Sequence, residues 1–283
     1  MNKTLALILF IGLGLTTLIF QLPKGNVSAK TESSVAGGAN RDANGQKNKM
    51  DTVQTEEKHA APFTEAQVKR IAQLKAALKT APNEVKQVVA LENLMRAFMD
   101  LTRYDSAAVY AGQFSDTHAA AIHTLRAGQA YFEAQTFAID AKKGRLMGEK
   151  ARLYFEKALG QDPNNLLVKT NLAMTYVDTP TPMKGITLLR EVIEQEPTFV
   201  PALFNLGILS IKSNQFGKGQ ERFTQILKLE PNNHKAALNL GFCLAQLDKK
   251  VEAQKVLTKV VANSKDPEET KAAKELLAEL QQH

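Results

Sequence analysis

The chain has 283 residues, of which 44% are hydrophobic, 23% are charged and only 6% are aromatic. This composition is typical of a globular protein, and the abundance of helix-favouring residues after residue 64 argues against an all-β core. The formal net charge is +7, but basic and acidic residues are interleaved, so no nucleic acid is expected as a partner. The single cysteine, Cys243, excludes a disulfide framework and is expected to be a small core residue.

The amino terminus predicts a segment that crosses a membrane. No charged residue lies between Lys3 and Lys24, and this apolar run has about the length that a helix needs to span a bilayer. We predict an uncleaved, single-pass transmembrane signal-anchor at residues 1–24, with the body of the chain on the extracytoplasmic side. The alternative is a long signal peptide cleaved after Ala29, because Val27 and Ala29 have the small-residue spacing of a signal-peptidase site.

Two segments lead from this terminus into the rest of the chain. Residues 25–61 are rich in small and polar residues and contain no Phe, Tyr or Trp, so we predict a disordered polar linker. A flanking helix is predicted within residues 62–87. Thr64 and Gln67 have the spacing of a capping box at its start, and Pro82 is expected to end it.

From about residue 88 the sequence follows a 34-residue period. The prolines that close three successive units are 34 residues apart, at Pro163, Pro197 and Pro231. Such a period is typical of stacked helix-turn-helix units, in which one hairpin cannot bury its apolar stripe without its neighbours. Small residues recur in the same phase, and we expect helices to cross closely there: Ala173, Gly207 and Gly241.

This pattern resembles that of the tetratricopeptide repeat family, which places Leu-Gly, Tyr, Ala, Phe, Ala and a closing Pro within 34 residues. The resemblance implies an all-α fold, a right-handed αα superhelix with flanking helices. About five units are predicted over residues 88–267: 88–120, 121–165, 166–199, 200–233 and 234–267. The last unit has Lys265 where the closing proline is expected. Residues 268–283 are predicted to form a terminal capping helix.

The unit at 121–165 carries eleven more residues than the 34-residue period allows. We expect these residues to lengthen its two helices by about one and a half turns each, so that the hairpin protrudes from one edge. Its positive charges are candidates for a basic edge that binds acidic protein or lipid head groups: Lys142, Lys143 and Arg145. The alternative is an insertion without a binding role.

The resemblance also implies that a protein or peptide segment binds in the concave groove of the stack. The candidate contact residues fall at matching positions of successive first helices: Asn171, Asn205, Lys235 and Asn239. Amide groups suit a peptide backbone, and the lysine would favour an acidic segment. The same asparagines could instead be structural hydrogen-bonding groups between helices. The terminal-carboxylate clamp of some family members would require different residues at Thr170, Met174 and Asn239.

No catalytic motif, metal site or cofactor site is predicted. His118 and His123 are five residues apart, which does not place them on one helical face as a metal pair would require. The prediction is therefore a non-enzymatic, membrane-tethered scaffold that mediates protein–protein interactions at the cell envelope. A soluble secreted or periplasmic assembly factor, or a chaperone-like factor, is the alternative.

Overall fold

The computed structural model describes residues 62–282, which form twelve α-helices and no strand. The all-α fold is therefore confirmed over this range. The helices are α1 (Glu65–Thr80), α2 (Glu84–Asp100), α3 (Tyr104–Thr117), α4 (Ala121–Thr136), α5 (Ala141–Gln161), α6 (Leu166–Met174), α7 (Pro182–Gln195), α8 (Val200–Lys212), α9 (Phe216–Leu229), α10 (His234–Gln246), α11 (Lys250–Asn263) and α12 (Pro267–Gln282). Within residues 62–282, none of these helices combines the length and apolar character needed to cross a membrane. The predicted anchor and linker, at 1–24 and 25–61, lie outside the described residues.

Local sequence signals explain where the first helix begins and ends. At its start, the Gln67 N–H donates to Thr64 Oγ1 at 3.3 Å and the Thr64 N–H donates to Gln67 Oε1 at 2.9 Å, which confirms the capping box. Helix α1 ends at Thr80, two residues before Pro82, as expected from the restriction that proline places on its predecessor. Asn83 then caps α2 by accepting from the next turn of backbone.

Consecutive helices pack as hairpins, and each hairpin packs on the next along the chain. Second helices α7, α9 and α11 begin at Pro182, Phe216 and Lys250, so the 34-residue period sets the helix starts as well as the prolines. The core lies between the first and second helices of each hairpin, where Phe155 and Phe223 are fully buried. Helix α12 packs against α10 and α11 at the carboxyl end.

The recurring acid-Pro-Asn-Asn sequence joins one hairpin to the next. Asn165 Oδ1 accepts from the Val168 N–H at 3.1 Å, which caps α6, and its Nδ2 donates to Asp162 Oδ2 at 3.1 Å. Asn233 repeats the arrangement before α10 and donates to Glu230 at 2.8 Å. One asparagine thus starts a helix while holding the acid that ends the preceding helix, which explains why the sequence is repeated.

The small residues do lie at close helix crossings. A Cβ atom added at Gly207 would lie 2.6 Å from Phe223 Cζ, and one added at Gly241 would lie 2.5 Å from Leu257 Cδ2. Ala173 is fully buried. Carbon atoms in contact are about 3.5–4.0 Å apart, so no larger side chain fits at these two glycines without displacement of the facing side chain.

The extra residues of the 121–165 unit are distributed differently from the expectation. Helix α4 has 16 residues where α8 has 13, whereas α5 has 21 where α9 has 14. The expectation of equal lengthening is therefore wrong, because the second helix takes most of the insertion. Asp140 begins α5 early by accepting from the Lys143 N–H at 2.8 Å, and Phe137 stacks on Tyr104 at 4.3 Å where α4 ends.

Helix α6 is shorter than its counterparts, with 9 residues against 13 in α8. After Met174 the chain forms turns, in which Thr175 Oγ1 donates to the Leu172 carbonyl at 2.6 Å. Arg152 from α5 donates to the Thr175 carbonyl at 2.9 Å and so satisfies an acceptor that a longer helix would have used. Helix α7 then begins at Pro182, a favoured residue for a first turn.

Candidate binding groove

The first helices of the five units are α2, α4, α6, α8 and α10. Successive first helices lie side by side, and contacts between them join positions about one repeat apart. Lys212 of α8 pairs with Asp178, 34 residues earlier, at 3.4 Å. Arg126 of α4, the sixth residue of its unit, donates at 2.9 Å to Glu92 of α2, the fifth residue of the preceding unit. Equivalent residues of the repeat units therefore form rows that run across the stack.

Two such rows define the surface that we call the first-helix face. The central row holds the sixth residue of each unit: Asn93, Arg126, Asn171, Asn205 and Asn239. The apolar row holds the second residue of each of the first four units: Val89, Ile122, Leu167 and Pro201. Lys235 has the same position in the fifth unit. Three of the predicted contact residues lie in the central row, and the fourth ends the apolar row.

The predicted contact residues differ in how far a partner could reach them. Asn205 and Lys235 are half-buried, Asn171 is 8% exposed and Asn239 is completely buried. Asn239 Nδ2 donates to the Lys235 carbonyl at 2.8 Å, within its own helix. This bond lies within α10, so it differs from the hydrogen bond between helices that sequence analysis left open for these asparagines. A partner could contact Asn239 only after its covering groups had moved.

Several buried polar atoms on this face have no hydrogen-bond partner. They are the donors Arg126 Nη1, Asn171 Nδ2 and Gln129 Nε2, the hydroxyl of Thr170 and the acceptor Asn239 Oδ1. Leaving such a group buried and unpaired costs about 1–3 kcal/mol. Each of these atoms is itself almost completely buried, so a bound segment could reach it only after neighbouring groups had moved.

The apolar row was not predicted from the sequence. Val89 is 53% exposed and Ile122 is 46% exposed, while Leu167 and Pro201 are half-buried. Val85, one turn before Val89 on α2, is 75% exposed. An apolar residue at the second position of four successive units was a signal in the sequence that could have identified this row.

The opposite ends of the first helices carry acidic groups. Asp100 and Asp178 are exposed near the ends of α2 and α6, and Asp178 pairs with Lys212. Glu133, near the end of α4, is half-buried, and this burial raises its carboxyl pKa. The first-helix face is therefore apolar at one margin, rich in amide groups at its centre and charged at the other margin, where Lys212 offsets Asp178.

The proposed basic edge is smaller than the sequence indicated. Lys142 and Arg145 are exposed, but Lys143 Nζ pairs with Asp105 Oδ2 of α3 at 2.5 Å. Arg152, further along α5, is engaged by the Thr175 carbonyl. The charge of Lys143 is thus used to hold the extended hairpin against α3, and two of the three predicted cations remain exposed at this edge.

The two histidines serve as contacts between helices. His123 Nε2 lies 2.8 Å from Glu84 Oε1, and His118 Nε2 lies 2.9 Å from Gln87 Oε1, with the two rings 6.1 Å apart. The hydrogen bond with His123 lowers the pKa of Glu84. Among residues 62–282, no group of three or more His, Cys, Asp and Glu side chains is arranged to hold a metal ion.

Comparison with known proteins identifies a matching family model and a relative of similar sequence. A family model described as tetratricopeptide repeat matches residues 211–280. The Hsp70-Hsp90 organizing protein of Triticum aestivum is 22% identical over 126 residues, which cover 43% of this chain and 22% of that protein. The present chain therefore matches only about a fifth of the length of this curated relative.

Two solved structures share the fold. A tetratricopeptide repeat protein from Parabacteroides merdae has a TM-score of 0.54 at 16% identity, with 76% of this chain and 79% of that chain covered. A thermophilic protein of the same repeat type from Thermus thermophilus has a TM-score of 0.51 at 16% identity, with 63% and 91% covered. With the helix pairs and their 34-residue phase, these matches show that residues 62–282 form a tetratricopeptide-repeat solenoid with flanking helices.

Proposed function

We propose that this protein is a non-enzymatic scaffold, whose first-helix face forms a groove that binds segments of partner proteins. The observation that carries the proposal is the apolar row, with Val89 of α2 53% exposed and Ile122 of α4 46% exposed. Exposed apolar side chains that recur at one position of successive units are typical of binding surfaces. The wheat relative is named for organizing two other proteins, which is consistent with a scaffold role here.

We further propose that residues 1–24 anchor the chain in a membrane and that residues 25–61 separate the repeats from its surface. The support is the uncharged run between Lys3 and Lys24, followed by a segment without Phe, Tyr or Trp. In this proposal the body of the chain lies on the extracytoplasmic side. Val27 and Ala29 support a second candidate, a soluble secreted or periplasmic assembly factor released by cleavage.

Charge reversal tests whether the groove binds the partner. Lys235 is half-buried at the end of the apolar row, so Lys235→Glu should weaken capture of an acidic segment and leave helicity unchanged. The loss should be largest at low salt, because added salt screens the charge that the lysine contributes. Capture is measured by pull-down from detergent-solubilised membranes at two ionic strengths.

The exposed edge of the insertion supplies the matched control. Reversal of Lys142 and Arg145 together changes two exposed charges while it leaves the Lys143–Asp105 pair intact. We expect this double variant to capture the partner normally. Loss of capture in the double variant, with normal capture by Lys235→Glu, would assign binding to the protruding edge and contradict the groove.

The first residue of the mature chain decides between the two locations. Mass spectrometry of the chain purified from its native cells should show an intact amino terminus if residues 1–24 are an anchor. A mature chain that begins at Lys30 would instead establish cleavage after Ala29 and the soluble alternative.

A further inference from the structure

The turns within the hairpins lie along the edge of the stack from which residues 25–61 lead toward the amino terminus. Short turns join consecutive helices into antiparallel pairs, so odd-numbered helices begin where even-numbered helices end. Arg103, between α2 and α3, lies over the ring of Phe63, just before α1, at 4.9 Å. Tyr104, at the start of α3, stacks on Phe137, where α4 ends. We call this side of the stack the linker edge.

Large apolar side chains are exposed at the linker edge. Ile139, in the turn between α4 and α5, is 77% exposed. Met183 and Val251, the second residues of α7 and α11, are 58% and 77% exposed. A single exposed apolar residue needs no explanation, but these three recur at the starts of second helices and lie among cations.

Cations recur at the same edge. Four exposed lysines at the starts of second helices have no carboxylate partner within residues 62–282: Lys142, Lys184, Lys218 and Lys249. Lys218 and Lys249 contact glutamine side chains, and Lys184 lies over the ring of Tyr176 at 5.9 Å. These four ammonium groups are therefore available to an anionic surface.

The two edges of the stack differ in their acidic groups. Three acids of the linker edge pair with lysines, as Asp105 with Lys143, Asp178 with Lys212 and Asp248 with Lys250. Asp100 and Glu252 are also exposed there. The opposite edge instead has an exposed acid at each acid-Pro junction between hairpins: Asp162, Glu196 and Glu230. The linker edge is thus the one that suits an anionic surface.

The position of the linker favours a membrane as that surface. This step rests on the proposed function, in which residues 1–24 are the anchor. Residues 25–61 provide 37 residues (61 − 25 + 1), and a flexible chain of that length spans about 35 Å root-mean-square. Such a chain lets the repeats stand away from the bilayer and also lets the linker edge reach it. The tether therefore keeps the bilayer at a high effective concentration beside this edge.

A bilayer with anionic head groups suits both kinds of side chain. Each lysine near such a surface raises binding by about fivefold, and apolar side chains enter the boundary between head groups and acyl chains. An acidic protein would match the lysines, but the position of the linker would not bring it to this edge.

We propose that the linker edge docks on the anionic surface of the membrane that holds residues 1–24. Ile139 and Met183 would enter the head-group region, and Lys142 and Lys184 would lie against lipid phosphates. The starts of the first helices, which carry the apolar row, would then lie on the side away from the membrane. The docked chain would thus keep this row accessible to a partner protein.

Quenching by lipids tests the docked edge. The full chain is reconstituted in vesicles of phosphatidylcholine and phosphatidylglycerol in equal parts, with nitroxide groups on some acyl chains. Ile139→Cys or Val85→Cys carries a fluorescent label, and these positions are 77% and 75% exposed at opposite edges. Cys243 is completely buried and should not take up the label. We expect strong quenching of the label at position 139 and only background quenching at position 85.

Charge variants test the selection of anionic lipid. Lys184→Gln with Lys218→Gln should lower the ratio of docked to free chain, read from the label at position 139, at least about fivefold. Vesicles of phosphatidylcholine alone should lower this ratio similarly. The matched control is Lys86→Gln with Lys228→Gln, which removes two exposed charges at the opposite edge and should leave the quenching unchanged. Circular dichroism establishes that all variants retain their helicity.

The outcomes separate docking from the proposed anchor. Equal quenching at positions 139 and 85, or none at position 139 while the chain floats with the vesicles, would overturn docking and leave the anchor intact. An acidic protein would then be the better occupant of this edge. Unchanged quenching in the Lys184 and Lys218 variant, or in phosphatidylcholine alone, would overturn the selection of anionic lipid. Failure of the full chain to float with the vesicles would overturn the anchor and the docking together.

Discussion

Substitution of Gly207 is the sharpest test of how the repeat units are packed. A Cβ atom at this position would lie 2.6 Å from Cζ and 2.8 Å from Cε1 of the Phe223 ring. The ring is fully buried and packs edge-on against Phe204 at 5.5 Å, so it has little space in which to retreat. Even alanine should therefore destabilise this helix crossing, and leucine should do so more strongly.

The expected magnitude follows from the atoms that overlap. Overpacking a filled core costs about 1–3 kcal/mol, and Gly207→Ala should lie at the lower end because only the edge of one ring must move. Gly207→Leu should reach or exceed the upper end. Gly185→Ala should cost more than Gly207→Ala, because its Cβ would overlap the backbone carbonyl oxygen of Ala173 instead of a side chain.

Chemical denaturation followed by circular dichroism measures these differences, with exposed glycines as controls. Gly217 is the second residue of α9 and has no atom within 4 Å of an added Cβ, so Gly217→Ala should not destabilise the chain. Phe223→Leu should partly rescue Gly207→Ala, because the smaller side chain removes the overlap. Unchanged stability in Gly207→Leu, or equal effects at Gly207 and Gly217, would refute the close crossing.

Three further predictions concern a turn, an ion pair and the thiol. Thr102 has φ of 56° in the turn between α2 and α3, a conformation that is costly for a β-branched residue, so Thr102→Gly should raise the melting temperature and stabilise by up to about 1 kcal/mol; a lower melting temperature would contradict this. Lys143→Ala should destabilise by up to about 1 kcal/mol through loss of the Asp105 pair, whereas Lys142→Ala should have no measurable effect on thermal unfolding. Burial raises the pKa of Cys243 to about 12, so its thiol should resist Ellman's reagent in the native chain at pH 8 and react in denaturant. Because the folded pKa is the higher one, the contribution of Cys243 to stability is fully present below about pH 8.5 and should decline as pH rises above that value.

The parts of the fold that were predictable are those fixed by local chemistry. Asn165 and Asn233 cap the helices that follow them, and Thr64 and Gln67 form a capping box, with every partner within three residues along the chain. Gly207 could be interpreted as a point where two helices cross, because a small residue recurs at its position with the 34-residue period of the repeat. These signals depend on near neighbours in sequence, so a single sequence contains them.

The features that sequence reasoning missed depend on contacts between distant elements. The early end of α6 involves Arg152 from α5, which satisfies the Thr175 carbonyl. The pairing of Lys143 with Asp105 requires the extended hairpin to lie against α3, 38 residues earlier in the chain. Neither contact leaves a periodic trace in the sequence.

The candidate site shows the same division. The shared register of Asn171, Asn205 and Asn239 could be predicted from the period, because equivalent positions of stacked units adjoin. Their exposure could not, since Asn239 is completely buried while Asn205 is half-buried at the same position of another unit. Burial at this position depends on the neighbouring helices, and α10 is also packed against the terminal helix α12.

Site-specific photo-crosslinking in intact cells tests the central claim, that the first-helix face binds a partner protein. A photoreactive amino acid is placed either at Ile122, which is 46% exposed on this face, or at Leu153, which is 62% exposed on the second helix α5. We expect a discrete protein adduct from Ile122 that is lost in Lys235→Glu, and no adduct from Leu153 above background. An adduct from Leu153 together with none from Ile122 would contradict it.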